Sequence, residues 1–500
     1  MIRFCFARFA LLAGLVLLSG CASLPDNTAN EVSSALQDPQ ETLIGEAYGE
    51  AAKHYPAGQS GFHVLPNGVD AFVARAALAQ VAERSIDSQY YMVHEDQVGL
   101  LYMDQLLQAA DRGVRVRFLL DDIDEGQRDF KLSLFDYHPN FEVRIFNPFG
   151  RNVGKNVQFL TGFGKQTRRA HNKSFTVDNA ATILGGRNIG DEYFADGEEI
   201  DFVDMDVLSV GPVAPQVSAS FDRYWNSELS YPITLLVDTP PTEADYLEGR
   251  AALARYVDEQ KHSSYVQRLI SSDLADTIRS HSLQFAWAPG QVYADPPEKL
   301  QAEPGDVSYQ MLPQLIPFIK AAEGELVIVS PYFVPGKEGT ANLVALREKG
   351  VRVRILTNSL SSTDVSIVHA GYARYRKALL RGGVELYELN KQTEPYERKA
   401  VKAGDKAASS SSLHAKEFVV DRTHVFIGSM NLDPRSIEQN TEIGVMIESP
   451  ELGEYMATHF DRIIDRVAFR LELRKDSEGL EHLRWYGIVD GEPREFDVEP

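Results

Sequence analysis

One motif occurs twice in the 500-residue chain, and this duplication constrains the fold more than any other feature of the sequence. Each copy reads His, any residue, Lys, four residues, Asp, six residues, Gly, two residues and Asn, and the copies span residues 171–188 and 414–431. The offset between them stays at 243 residues from Asn147 and Asn390 through Asn188 and Asn431. A repeat of this length predicts two homologous halves.

The repeat extends well beyond the motif. The corresponding stretches are residues 85–91 with 326–333, 113–119 with 350–356, 141–147 with 384–390, and 221–223 with 460–462. Apolar residues fall at helical spacing over 71–84 and 99–112, whereas 114–120 and 351–356 alternate or are apolar throughout, as strands are. Strands that alternate with helices predict an α/β fold with a mostly parallel or mixed sheet.

Composition and the repeat together divide the chain into five segments. These are a signal peptide at 1–20, a polar tether at 21–45, a first half at 46–239, a charged helical connection and linker at 240–305, and a second half at 306–500. Four consecutive serines within residues 404–412 predict a mobile loop just ahead of the second motif.

The N-terminus has the anatomy of a secretory signal. Two arginines precede an apolar run over residues 9–18, which is shorter than the ~20 residues that a membrane-spanning helix needs. The run ends in a stretch that resembles a bacterial lipobox, so Cys21 is predicted to carry a lipid anchor. An Ala-Ser pair follows Cys21, without the Asp that resembles an inner-membrane retention signal. We therefore expect the outer membrane, facing the periplasm, rather than the inner membrane.

The chain is strongly acidic, with a net charge of −22 and a pI near 5.0. This balance argues against a nucleic-acid partner, whose binding surface is basic. Basic residues nevertheless precede both motifs. Either they offset locally the repulsion between the acidic chain and an anionic lipid, or they are solvated loop charges. These residues are Arg168, Arg169, Arg398, Lys399, Lys402 and Lys406.

In each motif the His and the Lys are two residues apart and therefore share one face of an extended strand. His171 projects together with Lys173, and His414 projects together with Lys416. The Asp of each motif has the opposite parity, so it is not expected to orient the His of its own strand.

The turn that follows each strand adds hydrogen-bond donors. Backbone N–H groups at residues 185–186 and 428–429, with the amides of Asn188 and Asn431, suit an anionic oxygen. Two copies that face one pocket supply two imidazoles, two cations and two amides, a set that suits a phosphodiester. One imidazole can attack phosphorus while the other protonates the leaving oxygen, and the lysines neutralise charge on the non-bridging oxygens.

Paired histidines also suggest a metal site. A structural zinc site needs about four Cys, His or carboxylate ligands at short spacing. Here a lysine accompanies each His, and the chain has only two cysteines, Cys5 and Cys21. We therefore expect no metal and no other cofactor.

With these residues identified, the chain resembles the phospholipase D superfamily, whose signature is this duplicated motif. The flanking residues are most similar to bacterial cardiolipin synthases of the C-type branch. They are Tyr90, Tyr91, Asp96, Gly99, residues 113–122, 204–206, 211–212, 221–226 and 431–436, Asn440 and Glu442.

The resemblance implies two homologous α/β/α halves packed about a pseudo-two-fold axis with one shared active site. It also implies metal-independent, two-step transfer through a phosphohistidine, with His171 as nucleophile and His414 as general acid and then base. The residues that would hold the phosphate are Lys173, Lys416, Asn188 and Asn431.

By position, the resemblance assigns Asp204 and Glu442 as the acids that each orient an imidazole, often across the two halves. Gly186 departs from the more usual Ser, which is present as Ser429, and so removes one hydroxyl contact to substrate in the first half. The aspartates of the motifs are interpreted as structural; they are Asp178 and Asp421.

Three functions follow from these interpretations. The first is a phosphatidyltransferase that passes a phosphatidyl group from phosphatidylethanolamine, the donor associated with the C-type branch, to the glycerol hydroxyl of phosphatidylglycerol. The second is a hydrolytic phospholipase D that releases phosphatidic acid. A nuclease or a non-catalytic surface lipoprotein fits less well, because such nucleases are mostly short and single-motif and all four His and Lys residues are present. The expected partners are phospholipids and, through the anchor, the membrane; the need for an accessory protein stays open.

Overall fold

Two mixed β-sheets form the framework of the molecule, and each belongs to one half of the chain. The structure, a computed structural model, describes residues 24–28, 30–123, 128–151, 154, 155, 158, 167–194, 204–390, 412–489 and 491–500. The expected signal peptide, the lipidation site Cys21, the basic residues 398–406 and all but the last residue of the 404–412 loop lie outside the described residues.

The first sheet has the order β8-β4-β3-β2-β5-β6-β7-β1-β9. Strands β2, β3 and β4 are parallel to one another, and the remaining pairings are antiparallel. Its strands are β1 (Ser60–Leu65), β2 (Ser85–Tyr90), β3 (Arg115–Asp121), β4 (Phe141–Phe146), β5 (Ser174–Val177), β6 (Ala181–Gly185), β7 (Asp206–Val210), β8 (Ser230–Pro232) and β9 (Ala286–Ala288).

The second sheet has the order β10-β16-β15-β14-β11-β12-β13-β17-β18-β19. Read from β13 to β10, it repeats the order β4-β3-β2-β5-β6-β7-β1 of the first sheet. Again three strands, β11, β12 and β13, are parallel. Its strands are β10 (Gly290–Ala294), β11 (Glu325–Val329), β12 (Arg352–Asn358), β13 (Glu385–Leu389), β14 (Glu417–Val420), β15 (His424–Gly428), β16 (Ile443–Glu448), β17 (Ala468–Lys475), β18 (Glu481–Val489) and β19 (Glu492–Phe496). The predicted α/β fold with two homologous halves is confirmed.

Helices cover the sheets. In the first half they are α1 (Leu43–Ala52), α2 (Gly68–Val81), α3 (Gln97–Asp111), α4 (Asp129–Asp136), α5 (Asp191–Phe194) and α6 (Val213–Trp225). The connecting segment contributes α7 (Glu243–Gln260), α8 (Ser264–Ile270) and α9 (Asp273–Arg279). In the second half they are α10 (Leu312–Lys320), α11 (Gly336–Glu348), α12 (Ser366–Ala373), α13 (Arg376–Arg381), α14 (Pro434–Glu438) and α15 (Pro450–Val467). Short 3₁₀ turns occur at Pro39–Glu41, Ile233–Leu235 and Pro297–Leu300.

Local sequence explains where α3 begins and where α3 and α11 end. The side chain of Asp96 accepts the N–H of Gly99 and caps the start of α3. Gly113 and Gly350, which follow α3 and α11, both have φ of 95°. This left-handed conformation suits glycine, so each helix stops there and the chain turns into β3 or β12.

An apolar core joins the halves. Phe62, Leu184 and Val207 of the first half form one buried cluster with Leu356 and Val445 of the second. Each half has a further core of its own on the other side of its sheet. The two sheets are therefore fixed against each other by buried apolar area, the main favourable contribution to such packing.

The segment at 240–305 is shared between the halves. Buried Tyr265, Leu274 and Ala275 of its helices pack into the core of the first half. Strand β9 then pairs with β1 of the first sheet, whereas β10 pairs with β16 of the second. The chain thus passes from the first sheet to the second between Ala288 and Gly290.

The described part of the expected tether is hydrogen-bonded to the first half. Asn27 donates to Ser230 O at 2.8 Å, and the N–H of Ser33 donates to Asn226 Oδ1 at 3.0 Å. The buried Arg117 guanidinium donates to Ser33 O at 3.1 Å. Residues 24–28 and 30–42 therefore do not form a free linker, because polar groups of the first half, among them the buried Arg117, take hydrogen-bond partners from them. Among the described helices, none combines the length and the apolar character required to cross a bilayer.

Candidate active site

Each motif places its His three residues ahead of a central strand, His171 before β5 and His414 before β14. The two halves meet at this point. The N–H of His171 donates to Thr441 O at 2.9 Å, and the N–H of Thr441 donates to Arg169 O at 3.0 Å. Backbone hydrogen bonds between the halves therefore fix the position of the first motif.

The side chain of His171 contacts an acid of the opposite half. Its Nδ1 lies 2.8 Å from Glu442 Oε2, and the two side chains are 9% and 0% exposed. The hydroxyl of Ser429 donates to the same Glu442 oxygen at 2.5 Å. An Nδ1–H that donates to Glu442 leaves the Nε2 lone pair of His171 available for chemistry.

His414 makes the reciprocal contact. Its Nδ1 lies 2.5 Å from Asp204 Oδ2, and the two side chains are 20% and 0% exposed. The structure thus brings together both histidines with the acids expected from their positions, and both pairs cross between the halves. Neither half contains a complete set.

The lysines of the motifs are buried in the same region. Lys173 Nζ donates to His171 O at 2.8 Å, and Lys416 Nζ donates to His414 O. Burial lowers the pKa of Lys173 to about 7 and that of Lys416 to about 8, although Glu442 and Asp204 oppose the shift. Both cations therefore lie within the field of both acids, as one shared site requires.

The two His–acid pairs differ electrostatically. Burial and the nearby Lys173 and Lys416 hold the pKa of His171 well below its usual value, and burial raises the pKa of Glu442 to about 7. Burial would also raise the pKa of Asp204, but His414 and Lys416 outweigh it and the pKa lies far below the ordinary range. Asp204 is therefore firmly ionised beside His414, whereas His171 is held neutral.

The small residues of the two turns contact the two acids in different ways. Ser429 adjoins the longer acid, Glu442, and also accepts the N–H of Ile443 at 3.0 Å. Gly186 occupies the equivalent place beside the shorter acid, and a Cβ built on Gly186 would lie 2.2 Å from Asp204 Oδ1. The shorter acid thus occupies the space that a Ser side chain would need.

The amides of Asn188 and Asn431 are buried beside the same turns. Among the described residues, the Oδ1 of each has no hydrogen-bond partner. Because an amide Oδ1 only accepts hydrogen bonds, these unpaired oxygens would take a donor group of a ligand, whereas a phosphate oxygen would need the Nδ2–H groups of the same amides.

The aspartates of the motifs lie at the opposite ends of the motif strands. Asp178 accepts the N–H groups of Glu83, Arg84 and Ser85 at 2.8–3.0 Å. Asp421 accepts the three equivalent N–H groups, those of residues 323–325, at 2.7–2.9 Å. Both carboxylates clamp the chain where β2 or β11 begins, so their contacts are structural.

Some contacts at the site were missed or misinterpreted from the sequence. The ring of Tyr193 lies edge-on to His414 at 5.1 Å, and no sequence signal marked it; Tyr91, noted only for the resemblance, packs likewise against His171 at 4.8 Å. Arg169 pairs with Asp121 at 2.8 Å with both side chains 0% exposed, and Arg168 donates to Ala302 O at 2.6 Å. Because both arginines are buried, the interpretation as solvated loop charges does not hold for them.

Within the described residues, His94, Asp96 and Glu192 form a cluster with metal-ligand spacing. It lies outside the paired motifs. Asp96 also accepts the N–H groups of Gly99 and Asp191, at 2.9 and 2.7 Å, which accounts for its position.

Comparison with known proteins places these residues in a family context. A family model described as "Cardiolipin synthase, PLD-like domain" matches residues 76–225 and 315–464. Cardiolipin synthase C of Escherichia coli K12 is 43% identical over 418 residues, which cover 83% of this chain and 87% of that protein. An uncharacterised Helicobacter pylori protein is 32% identical over 451 residues, 89% of this chain and 87% of its own length. The crystal structure of phosphatidylserine synthase from Haemophilus influenzae matches 84% of this chain and 90% of its own with a TM-score of 0.53 and 14% identity, a likeness of fold.

Proposed function

Because the chain belongs to the family of cardiolipin synthases with phospholipase D-like domains, we propose that it makes cardiolipin by transferring a phosphatidyl group through His171. The observation that carries the proposal is the crossed arrangement of the two His–acid pairs, His171 with Glu442 and His414 with Asp204. It presents two imidazoles in different electrostatic settings to one phosphate.

In the first step, Nε2 of neutral His171 attacks the phosphorus of the donor phosphatidylethanolamine. The bond from phosphorus to the ethanolamine oxygen breaks, and protonated His414 gives its proton to that oxygen. The different surroundings of the two histidines support this division of roles. Burial and the nearby lysines lower the pKa of both histidines, but at His414 the ionised Asp204 opposes this shift and favours the proton.

In the second step, neutral His414 takes the proton from the glycerol hydroxyl of phosphatidylglycerol. The hydroxyl oxygen attacks the phosphohistidine, the P–N bond breaks, and His171 is regenerated. The protonated lysines and the two amides stabilise the charge on the non-bridging oxygens in both steps. Those residues are Lys173, Lys416, Asn188 and Asn431.

The test uses purified protein and vesicles that contain both phospholipids. Cardiolipin and free ethanolamine in equal amounts, measured by mass spectrometry, are expected. Phosphatidic acid as the sole lipid product would contradict synthesis and favour hydrolysis with water as the acceptor. Cardiolipin formation by the protein alone would also show that no accessory protein is required.

We further propose that the enzyme works at the membrane to which a lipid on Cys21 anchors it. Leu24 packs against the core of the first half, and only two residues lie between it and Cys21, a span of at most ~10 Å. The body would thus lie at the membrane surface. Cys21→Ala should release the protein from membranes, and recovery of the intact protein in inner-membrane fractions would contradict the outer-membrane location.

A further inference from the structure

A buried ion pair lies in the segment that joins the halves. Lys299 Nζ is 2.8 Å from Asp295 Oδ2, and the two side chains are 2% and 1% exposed. A buried ion pair is a poor source of stability, because removing both charges from water costs about as much as their attraction returns. Its presence in a connecting segment therefore calls for another explanation.

The contacts of Asp295 lead directly to Glu442. Asp295 follows strand β10, whose last residue, Ala294, pairs with Ile443. The N–H of Asp295 donates to Glu442 O, and the N–H of Glu442 donates to Asp295 Oδ2, both at 2.9 Å. Both backbone groups of Glu442 are thus held by one residue.

The other polar atoms of the ion pair also have hydrogen-bond partners. Asp295 Oδ1 accepts the N–H of Met311 at 2.6 Å, and Lys299 Nζ donates to Ser436 O at 3.2 Å. The ion pair therefore ties the connecting segment, the start of α10 and helix α14 to the acid that contacts His171.

The first half supports its acid differently. Arg187 donates to Asp204 O at 2.6 Å and to Leu65 O at 2.9 Å. In the repeat, Arg187 corresponds to Met430, which cannot donate such bonds. Asp204, the acid beside His414, is thus held through its backbone oxygen by the Arg187 guanidinium. Glu442, the acid beside His171, is held by the Lys299–Asp295 pair. The two halves therefore support their acids in different ways.

We propose that Lys299 and Asp295 are positioning residues for Glu442 and, through it, for His171, which rests on the proposed role of His171 as nucleophile. Lys299 favours the ionised form of Glu442, whereas the Asp295 carboxylate opposes it. Ionised Glu442 accepts the Nδ1–H of His171 and keeps Nε2 free to attack. Protonated Glu442 can donate to Nδ1 and so place the proton on Nε2, which blocks attack.

Several groups bear on the charge of Glu442, and all of them except Lys299 and Asp295 are unchanged in the test below. The titratable and charged groups that face it are His171, Lys173, Tyr91 and Tyr224 from the first half, Lys416 and Asp433 from the second, and Lys299 and Asp295 from the connecting segment.

The test compares the pH dependence of kcat for three variants of the full-length protein on mixed phospholipid vesicles. Lys299→Met removes the cation, so the acidic limb of the profile should move up by about one pH unit. Asp295→Asn removes the anion and leaves Lys299 unpaired, so the limb should move down. Lys299→Arg keeps the charge and should retain the wild-type profile, and KM for lipid should change little in all three.

Lys261→Met is the matched control, because it removes the lysine of an exposed Lys–Asp pair, Lys261 with Asp258, far along the same connecting segment. Its profile should equal that of the wild type. Transfer is followed as loss of phosphatidylethanolamine and cardiolipin is measured separately, so an error in the proposed acceptor changes the product and not the pH comparison.

Shifts of opposite sign support the positioning role. A uniform loss of activity at every pH, or shifts of the same sign, would show that the pair merely holds the fold and would overturn the proposal. Asp295→Asn keeps the size of the side chain but replaces one acceptor oxygen with an NH2 group, so its folding is checked by thermal melts, and its profile then decides the question by itself if Lys299→Met does not fold.

Discussion

Gly186 lies so close to Asp204 that a Cβ built on the glycine would come within 2.2 Å of the Asp204 carboxylate. The equivalent residue of the second half, Ser429, instead donates its hydroxyl to Glu442 at 2.5 Å. The length of the acid and the size of the turn residue are therefore matched within each half.

This relationship predicts the effect of Gly186→Ala. The added methyl group would displace Asp204 and loosen its contact with His414, so kcat should fall about tenfold, equivalent to ~1.4 kcal/mol. Steady-state kinetics on mixed vesicles would measure the loss. Ser429→Ala, which shortens the opposite turn residue, adds no atoms near an acid and should not displace Glu442. Wild-type kcat in Gly186→Ala would contradict the account.

Glu442→Gln should lower kcat by about 100-fold or more, because a neutral amide cannot stabilise the His171 imidazole as a carboxylate does. KM for lipid should change much less. The matched control is Glu417→Gln. Burial raises the pKa of Glu417 to about 8, so this buried acid is protonated at pH 7 and an amide resembles it. A loss of less than tenfold in Glu442→Gln would argue that Glu442 does not orient the nucleophile.

Lys173→Met should abolish transfer and yet raise the thermal stability near pH 7. The pKa of Lys173 in the folded protein, about 7, lies below its ordinary value of 10.5. Between these values the unfolded chain binds more protons, so this lysine makes stability rise with pH. Thermal melts at pH 7 and pH 9 should show a smaller rise in Tm for the variant than for the wild type. Equal rises would contradict the assignment of a strongly lowered pKa.

Asp178→Ala should destabilise the fold without changing the pH profile of the remaining activity. The fully buried Asp178 carboxylate accepts three backbone N–H groups, and leaving these unpaired should cost about 2–4 kcal/mol. Asp421→Ala is the matched comparison. Asp421 makes the same contacts but is partly exposed, so water can replace the carboxylate and a smaller drop in Tm is expected. A shifted pH profile in Asp178→Ala would contradict a purely structural role.

The fold was predictable because the sequence contains an internal repeat. The series of paired segments indicated two like halves, and the structure has the same central strand order in both sheets. Asp178 and His171 have opposite parity along the strand, so the sequence predicted that Asp178 does not orient this imidazole. The hydrogen bonds of Asp178 to backbone N–H groups agree with that prediction. Family resemblance added Asp204 and Glu442 by position, and the structure places each against the His of the other half.

What the sequence did not indicate lies mostly outside the repeat. Asp295 and Lys299 belong to a segment that occurs once, so no second copy marks them. Residues 24–42 are polar and aperiodic, which is typical of a free tether, and their partners, such as Arg117, are distant in sequence. The fit between Gly186 and the shorter Asp204 was also not visible in the sequence, because only the folded site brings the two residues together.

The division of roles between the two histidines is tested most directly with a donor whose leaving group needs no proton, phosphatidyl-p-nitrophenol. In His414→Ala, His171 should attack this donor once, giving a burst of one nitrophenolate per protein and a phosphatidyl adduct on His171 by peptide mass spectrometry. Turnover should then stop, because no base remains to activate the acceptor. His171→Ala should give no burst. A burst and an adduct on His414 in His171→Ala would contradict the account.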